Sequence, residues 1–201
     1  MLVPVSAEGL PAESTTTVVI GAGLPGLAVA SELSRRGVRP IVVEGLGGAR
    51  PPAAPPCSIM TDPVSLTERS ELLRLLQGYA ASRCLDVRRS TFARQVSLVP
   101  GIGMPVPESG PEGARRQWRI QTDRSVLLAD TVVLTGCPQS QIRRFLRGLG
   151  LRLGADIAAT LRNLGLYLVG MAGLLTPTTR EIVREAKMVG GAIAGGRPWP
   201  A

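Results

Sequence analysis

Apolar positions along this chain alternate between short continuous runs and stretches with helical spacing. The runs are rich in β-branched residues, which is typical of buried strands. They predict strands over residues 15–20, 40–44, 85–89, 131–135 and 166–169. Helical spacing predicts helices over residues 25–36, 65–83 and 178–194. The second of these would begin with a capping box formed by Ser65 and Glu68. Because strands and helices alternate through long crossovers, the sequence predicts an α/β fold with a largely parallel sheet.

A second, antiparallel layer is predicted in the middle of the chain. Residues 91–99 would begin this layer, and two alternating segments would form a hairpin across Thr122–Ser125, namely 118–122 and 126–129. The sequence therefore predicts a loose arm over residues 1–14, a single domain over residues 15–195 and a tail over residues 196–201.

The strongest chemical signal is a glycine motif between two predicted strands. The first strand ends at Gly21, and Gly23 and Gly26 lead into a helix and a second strand that ends in Glu44. Gly21 allows a tight turn, Gly23 lets a pyrophosphate approach the backbone, and Gly26 lets the helix pack close to the strand. The helix N-terminus offers free N–H groups to the phosphates. Glu44 can accept hydrogen bonds from ribose hydroxyls, and its charge disfavours a 2′-phosphate. The motif predicts a dinucleotide site, and the alternative is a purely structural turn.

The same segment resembles the N-terminal FAD fingerprint of the glutathione-reductase-type flavoproteins, in particular flavin monooxygenases and related FAD-dependent oxidoreductases. The matching stretch is TTTVVIGAGLPGLAVASELSRRGVRPIVVEG. The later stretch WRIQTDRSVLLADTVVLTG looks like the hairpin and strand that end in the family's Ala-Thr-Gly motif, here Leu134-Thr135-Gly136. LYLVG, ending at Gly170, looks like its last strand. The resemblance spans nearly all of residues 15–195. It implies a Rossmann-type FAD-binding domain with a parallel sheet and an antiparallel β-meander.

The resemblance also implies that FAD lies extended across the sheet. The three glycines would hold the pyrophosphate, Glu44 the adenosine ribose, and Ala93 would lie near the adenine. The N-terminus of the last helix would face the flavin. The implied cofactor-binding residues are Gly21, Gly23, Gly26, Glu44, Ala93, Thr135, Gly136, Gly170 and Met171. The family usually has an aspartate at the position of Met171, so this chain is missing one polar contact to the ribityl chain or phosphate.

One departure from the family concerns the source of electrons. The family commonly places a nicotinamide-binding domain, with a second glycine motif, between its Thr-Gly turn and its last strand. Residues 137–165 contain no such motif and are predicted to be a shortened bridge, partly helical over 140–163. Electrons for a redox reaction would come from a partner reductase, from free reduced nicotinamide or from the substrate.

The function that the resemblance implies is that of an oxidoreductase-like or monooxygenase-like enzyme acting on a small apolar organic substrate. The composition and the reduced architecture favour a role in bacterial secondary metabolism. One alternative is a non-redox flavoprotein, such as a cyclase that holds FAD as a structural scaffold. The other is a non-catalytic FAD-binding subunit of a larger flavoenzyme.

Composition narrows the chemistry further. The absence of His excludes His-dependent triads and His metal sites, and no metal is expected. The three Cys form no CxxC pair, which favours a reducing, cytoplasmic compartment. Cys137 follows the Thr-Gly turn and is either redox-active near the flavin or a small buried residue. The longest apolar runs fall short of the roughly 20 residues that a membrane helix needs, so no membrane span is expected.

The net charge of +8 is concentrated in the C-terminal third. Residues 137–201 hold nine of the 23 cations but only three of the 15 acids. This excess fits an acidic partner, such as a reductase or an acyl carrier protein, a phosphate-bearing cofactor, or a solvated surface. Nucleic acid is not expected, because no aromatic residues interleave with the arginines. The arginines of the candidate docking face are Arg143, Arg144, Arg147, Arg152 and Arg162. A homo-oligomer also remains open.

Overall fold

A computed structural model describes residues 9–47, 63–100, 116–137, 139–150, 157–170 and 177–195. Six strands and five helices lie in these segments. In chain order they are β1 (Ala12–Ile20), α1 (Leu24–Arg35), β2 (Pro40–Leu46), α2 (Pro63–Ser82), β3 (Asp86–Pro100), β4 (Arg116–Thr122), β5 (Val126–Thr135), α3 (Gln139–Gly148), α4 (Ile157–Asn163), β6 (Leu166–Val169) and α5 (Thr179–Gly195).

The centre of the fold is a parallel sheet in the order β3-β2-β1-β5-β6. β1 pairs with β2 on one side and with β5 on the other, in both cases in parallel. The first half of β3 extends the sheet beyond β2, and β6 extends it beyond β5. The predicted parallel sheet is therefore present. The predicted bounds of β6 are those observed.

An antiparallel meander completes the sheet, as the sequence predicted. The second half of β3 pairs with β4, and β4 pairs with the first half of β5. Since β5 also pairs with β1, the strands from β1 to β5 form a closed ring. The hairpin between β4 and β5 turns at Thr122–Ser125, where the Thr122 N–H donates to the Ser125 carbonyl at 2.9 Å.

Two pairs of predicted strands are single strands in the structure. Residues 85–89 and 91–99 were predicted as separate strands, but β3 runs without a break from Asp86 to Pro100. Ser90 lies in β3 with φ of 56°, a left-handed backbone conformation, at the point where the register between β2 and β3 shifts. Likewise β5 joins the predicted segments 126–129 and 131–135. In both cases polar residues interrupt the apolar pattern while the strand continues: Arg89 and Ser90 in β3, and Asp130 in β5.

Two predicted starts are also wrong. β1 begins at Ala12, so residues 12–14 pair with β5 instead of belonging to a loose arm. This pairing brings the Glu13 carboxylate within 2.6 Å of the Arg88 guanidinium. α2 already includes Pro63, so Ser65 lies inside the helix and does not form a capping box with Glu68. Glu68 instead accepts a hydrogen bond from the Thr179 hydroxyl at 3.3 Å.

The core lies on both faces of the parallel sheet. Val18 and Ile20 of β1 belong to an apolar cluster with the meander and with α3 and α4. Val19 belongs to a second cluster, on the opposite face, with α1 and α5. This alternation is what a strand covered on both sides requires. Within the described segments, no helix combines the length and the apolar content that crossing a membrane needs.

Candidate functional site

The predicted cofactor contacts from four strands lie at one edge of the sheet. Gly21 follows β1, Glu44 lies near the end of β2, Thr135 ends β5 and Gly170 follows β6. All four strands are parallel, so these positions share the carboxyl edge. From β1 the chain crosses over to β2 on one side of β1, while β5 pairs with the other side of β1. This is the topological switch point where open α/β sheets bind ligands.

Gly21 and Gly26 are required by contacts within the protein. Gly21 has φ of 123°, and a Cβ there would collide with the Thr135 side chain and lie 2.6 Å from the Thr135 carbonyl oxygen. A Cβ on Gly26 would collide with the Gly21 carbonyl oxygen and lie 2.9 Å from the Gly21 carbonyl carbon. The turn, the helix and β5 thus pack too closely for any side chain at either position.

Thr135 holds this turn from the neighbouring strand. Its hydroxyl is buried and lies 3.1 Å from the Gly21 carbonyl oxygen and 3.3 Å from that of Ile20, so it can donate to either. On the other side, the Gly21 N–H donates to the Val43 carbonyl of β2 at 2.9 Å. The turn after β1 is therefore fixed by both neighbouring strands before any ligand binds.

Gly23 differs from the other two glycines because it leaves open space. It is the N-cap of α1, supplies no side-chain hydrogen bond to the helix, and is followed by no acidic residue in the first turn. Among the described residues, a Cβ at Gly23 would meet only the Pro25 ring, at 4.0 Å. The first turn of α1 thus presents its N–H groups and its positive dipole end to an unfilled space. A diphosphate fits this arrangement.

Glu44 lies at the rim of a cleft next to that turn. Its side chain is exposed, and its Oε2 accepts a hydrogen bond from the Ser90 N–H at 3.0 Å, which leaves Oε1 available. The cleft has a volume of about 320 Å³. Its walls come from the first turn of α1, the end of α2 and the start of β3: Ala22, Leu27, Gln77, Ala80, Ala81, Leu85, Val87 and Arg89. The size and the carboxylate fit the adenosine half of a dinucleotide.

Ala93 and Gly136 are placed differently from one another. Ala93 is fully buried in the cluster beneath the meander, does not line the Glu44 cleft, and its carbonyl accepts a hydrogen bond from the Gly47 N–H at 2.8 Å. Its closeness to an adenine stays a prediction. Gly136 has φ of 63° and open space where a Cβ would lie. It therefore allows a close approach from outside.

Gly170 joins β6 to the glycine motif. Its φ is 70°, and a Cβ there would lie 2.9 Å from Pro25 Cγ at the start of α1. Its N–H donates to Glu185 Oε2 of α5 at 2.9 Å. Sequence reasoning missed Glu185, because nothing in the spacing along the chain places α5 next to Gly170. Met171 lies outside the described residues.

The N-terminus of α5, which the resemblance implied would face the flavin, is capped by its own side chains. Thr178 and Glu181 form a capping box in which the Thr178 N–H donates to Glu181 Oε2 at 2.7 Å and the Glu181 N–H donates to the Thr178 hydroxyl at 3.3 Å. The backbone hydrogen bond from Thr178 lowers the pKa of Glu181, so this carboxyl stays ionised. The helix end thus carries a negative charge.

Cys137 is half-buried directly after the Thr-Gly turn. Its thiol lies 3.6 Å from the Thr135 carbonyl oxygen, to which it can donate, and burial raises its pKa. These features fit the small buried residue and not an activated thiol. In the described part of the chain, no three His, Cys, Asp or Glu side chains come together to hold a metal ion.

Comparison with known proteins establishes the class of fold. No protein-family model matches the chain, and no curated protein matches it. The crystal structure of THI4 from Thermovibrio ammonificans is similar over 91% of this chain and 90% of that one, with 16% sequence identity and a TM-score of 0.56. At this identity the similarity concerns the fold alone. The chain has a Rossmann-type α/β fold with an antiparallel meander, as the sequence predicted.

Two further solved structures are similar over only part of their length. A thioredoxin reductase from T. acidophilum is 17% identical, with a TM-score of 0.38. A flavin monooxygenase from Stenotrophomonas maltophilia is 21% identical, with a TM-score of 0.36. Each similarity covers 61% of this chain but only 35% and 38%, respectively, of the other.

Proposed function

We propose that this chain binds FAD at the carboxyl edge of its parallel sheet and acts as the cofactor domain of an oxidoreductase. The observation that carries the proposal is the first turn of α1. Gly23 leaves that turn uncapped and open, and the exposed Glu44 carboxylate stands beside it. An anion site next to a ribose acceptor is what the two halves of a dinucleotide need.

Different residues of the chain bind the diphosphate and the adenosine of the cofactor. The N–H groups at the start of α1 bind the diphosphate, and the turn is held rigid by Thr135. Glu44 accepts hydrogen bonds from the ribose hydroxyls, while the Ser90 N–H fixes the carboxylate. The adjoining cleft takes the adenosine. The fingerprint resemblance favours FAD over NAD. Bound FAD supplies reversible electron transfer, which none of the side chains described at this site supplies.

The reaction that we propose is oxidoreductase or monooxygenase chemistry on a small apolar organic substrate. Between β5 and β6 the described chain has only the two short helices α3 and α4, so electrons come from a partner, from free reduced nicotinamide or from the substrate. The exposed side chains of Arg143, Arg144 and Arg147 on α3 are the proposed contact with an acidic partner.

A structural role for FAD is the second candidate, and the end of α5 favours it. A reduced flavin carries negative charge, which free helix donors would stabilise. The Thr178–Glu181 capping box instead places a carboxylate at that end. A non-redox enzyme such as a cyclase would not need this stabilisation.

The visible spectrum of the purified protein tests the proposal. We expect flavin absorption bands that stay with the protein through gel filtration, either as isolated or after incubation with FAD, and release of intact FAD on denaturation. Anaerobic addition of NADPH then separates the candidates. Bleaching supports the redox enzyme, whereas persistent bands favour a structural or partner-reduced flavin. Absence of bands after incubation with FAD would contradict flavin binding altogether.

A further inference from the structure

The surface between α2 and α5 is an open groove with an apolar floor. Leu72, Leu75 and Val183 form the floor of a depression of about 580 Å³. Leu75 is 59% exposed. Both helices contact α1, and the hydrogen bonds described between α2 and the start of α5 lie at the N-terminal ends of the two helices. There the Arg69 guanidinium donates to the Pro177 carbonyl at 2.6 Å. This contact and the hydrogen bond from Thr179 to Glu68 fix the groove at one end.

The two walls of this groove carry opposite charges. Glu68 and Glu71 line the α2 wall, and the α5 wall is lined by Arg180, Arg184 and Lys187. All five are exposed. Among the described ion pairs, none joins one wall to the other. The groove therefore separates exposed acids from exposed bases across an apolar floor.

We infer that this α2/α5 groove is the interface through which two copies of the chain form a symmetric dimer. A twofold axis running along the groove places α2 of one protomer over α5 of its partner. Each acidic wall then faces a basic wall, twice in the dimer, because a twofold interface is self-complementary. The leucines and valine of the two floors meet in the centre. We take the partner to be a second copy of the chain, because this one surface carries both the acidic and the basic side chains that face one another in such a contact.

Charge reversal on one wall at a time tests this arrangement. The α2 variant carries Glu68→Arg and Glu71→Arg, and the α5 variant carries Arg184→Glu and Lys187→Glu. Each reversed variant places like charges opposite one another at both contacts. We expect self-association to weaken by at least about a hundredfold. An equimolar mixture restores opposite charges at both contacts, so we expect it to form a heterodimer with near wild-type affinity. Analytical ultracentrifugation of the full chain measures all four samples.

Each possible result either supports or contradicts the proposed dimer interface. A dimeric wild type, two monomeric variants and a dimeric mixture support the interface. A monomeric wild type contradicts it and leaves the groove to another occupant. A dimer that survives both reversals must use another face. If each variant alone is monomeric and their mixture does not form a heterodimer, α2 of one protomer does not lie over α5 of its partner. Circular dichroism of each variant verifies folding, since all four side chains are exposed. None of these residues lies at the proposed FAD site, so the result is independent of cofactor binding.

Discussion

At the scale of single residues, the three glycines of the motif do different work. Gly21 and Gly26 are needed because the protein itself fills the space where a Cβ would lie. Gly23 is needed only if something outside the protein fills that space. This distinction separates the stability of the turn from its capacity to bind a ligand. A single methyl group at Gly23 therefore probes binding with little effect on folding.

Reactivity of Cys137 is the residue-scale prediction. Burial raises its pKa, so less thiolate is present at neutral pH than for an ordinary cysteine. In a Cys57→Ser/Cys84→Ser variant, we expect Cys137 to react with a thiol reagent at least about tenfold more slowly than Cys84, which is exposed. Its rate should keep rising to a higher pH than is usual for a cysteine.

The matched control is a Cys57→Ser/Cys137→Ser variant, which leaves only Cys84. The reaction of each variant is followed as a function of pH by absorbance of the released reagent. A faster reaction at Cys137 than at Cys84 would show an activated thiol and overturn the interpretation of a buried, inert residue.

At this scale, sequence reasoning found the residues whose role follows from their spacing along the chain. The glycines and Glu44 follow from their spacing around a strand-turn-helix unit, and the structure brings them to one edge. Arg89 and Glu185 reach the same region only through tertiary packing, since each comes from a distant segment. Spacing along the chain contains no information about such approaches.

At the scale of elements, the first turn of α5 carries a pH-dependent prediction. The pKa of Glu181 is lowered in the folded chain, mainly by the backbone hydrogen bond from Thr178. A lowered folded-state pKa means that the carboxylate stabilises the fold at neutral pH. This contribution is lost as the pH falls through the folded-state pKa, below the usual range of a glutamate.

A Glu181→Gln variant therefore should be less stable than the wild type at neutral pH and equal to it in acid. Urea unfolding followed by circular dichroism across the acidic range measures the difference. Glu71→Gln is the control, compared at a protein concentration at which the chain is monomeric, because Glu71 is exposed and has no hydrogen bond or ion pair among those described. A difference for Glu181→Gln that does not shrink on acidification would contradict the capping role.

The strands show where pattern reasoning fails. Along β3 the partner changes from β2 in the parallel layer to β4 in the meander, and along β5 it changes from β4 to β6. Polar residues interrupt the apolar pattern of both strands, at Arg89 and Ser90 in β3 and at Asp130 in β5. A pattern read along the chain interprets that interruption as a loop. Only the pairing of distant strands shows that the backbone continues.

At the scale of the whole molecule, Trp118 connects the meander to the bridge that precedes β6. It is fully buried on β4, and its indole N–H donates to the Leu164 carbonyl at 2.7 Å. Trp118→Phe removes buried volume and leaves that carbonyl without its indole donor. We expect a loss of about 2 kcal/mol or more in the free energy of unfolding.

Leu66→Ala is the control for this variant, because Leu66 is 52% exposed. Its substitution should change the free energy of unfolding by no more than about 0.5 kcal/mol. Urea denaturation of the three proteins gives the comparison. Equal stability of Trp118→Phe and the wild type would show that the meander and the bridge are not coupled through this contact.

The overall architecture was predictable because its parts are local. Alternating strands and helices define the parallel sheet, and the turn at Thr122–Ser125 defines the hairpin. The closed ring of five strands was not predicted, because it depends on β1 pairing with β5 along the whole of a strand that begins at Ala12. The pairing of α2 with α5 likewise follows from packing on α1.

Titration of FAD against three proteins tests the central claim most directly. The proteins are the wild type, Gly23→Ala, and Gly78→Ala, in which the methyl lies in open space on α2 and improves helix propensity. Quenching of flavin fluorescence measures binding, and thermal unfolding measures stability. We expect the wild type and Gly78→Ala to bind equally. We expect Gly23→Ala to bind at least about tenfold more weakly with unchanged stability, because its methyl occupies the diphosphate's place. Equal binding by Gly23→Ala would contradict the site.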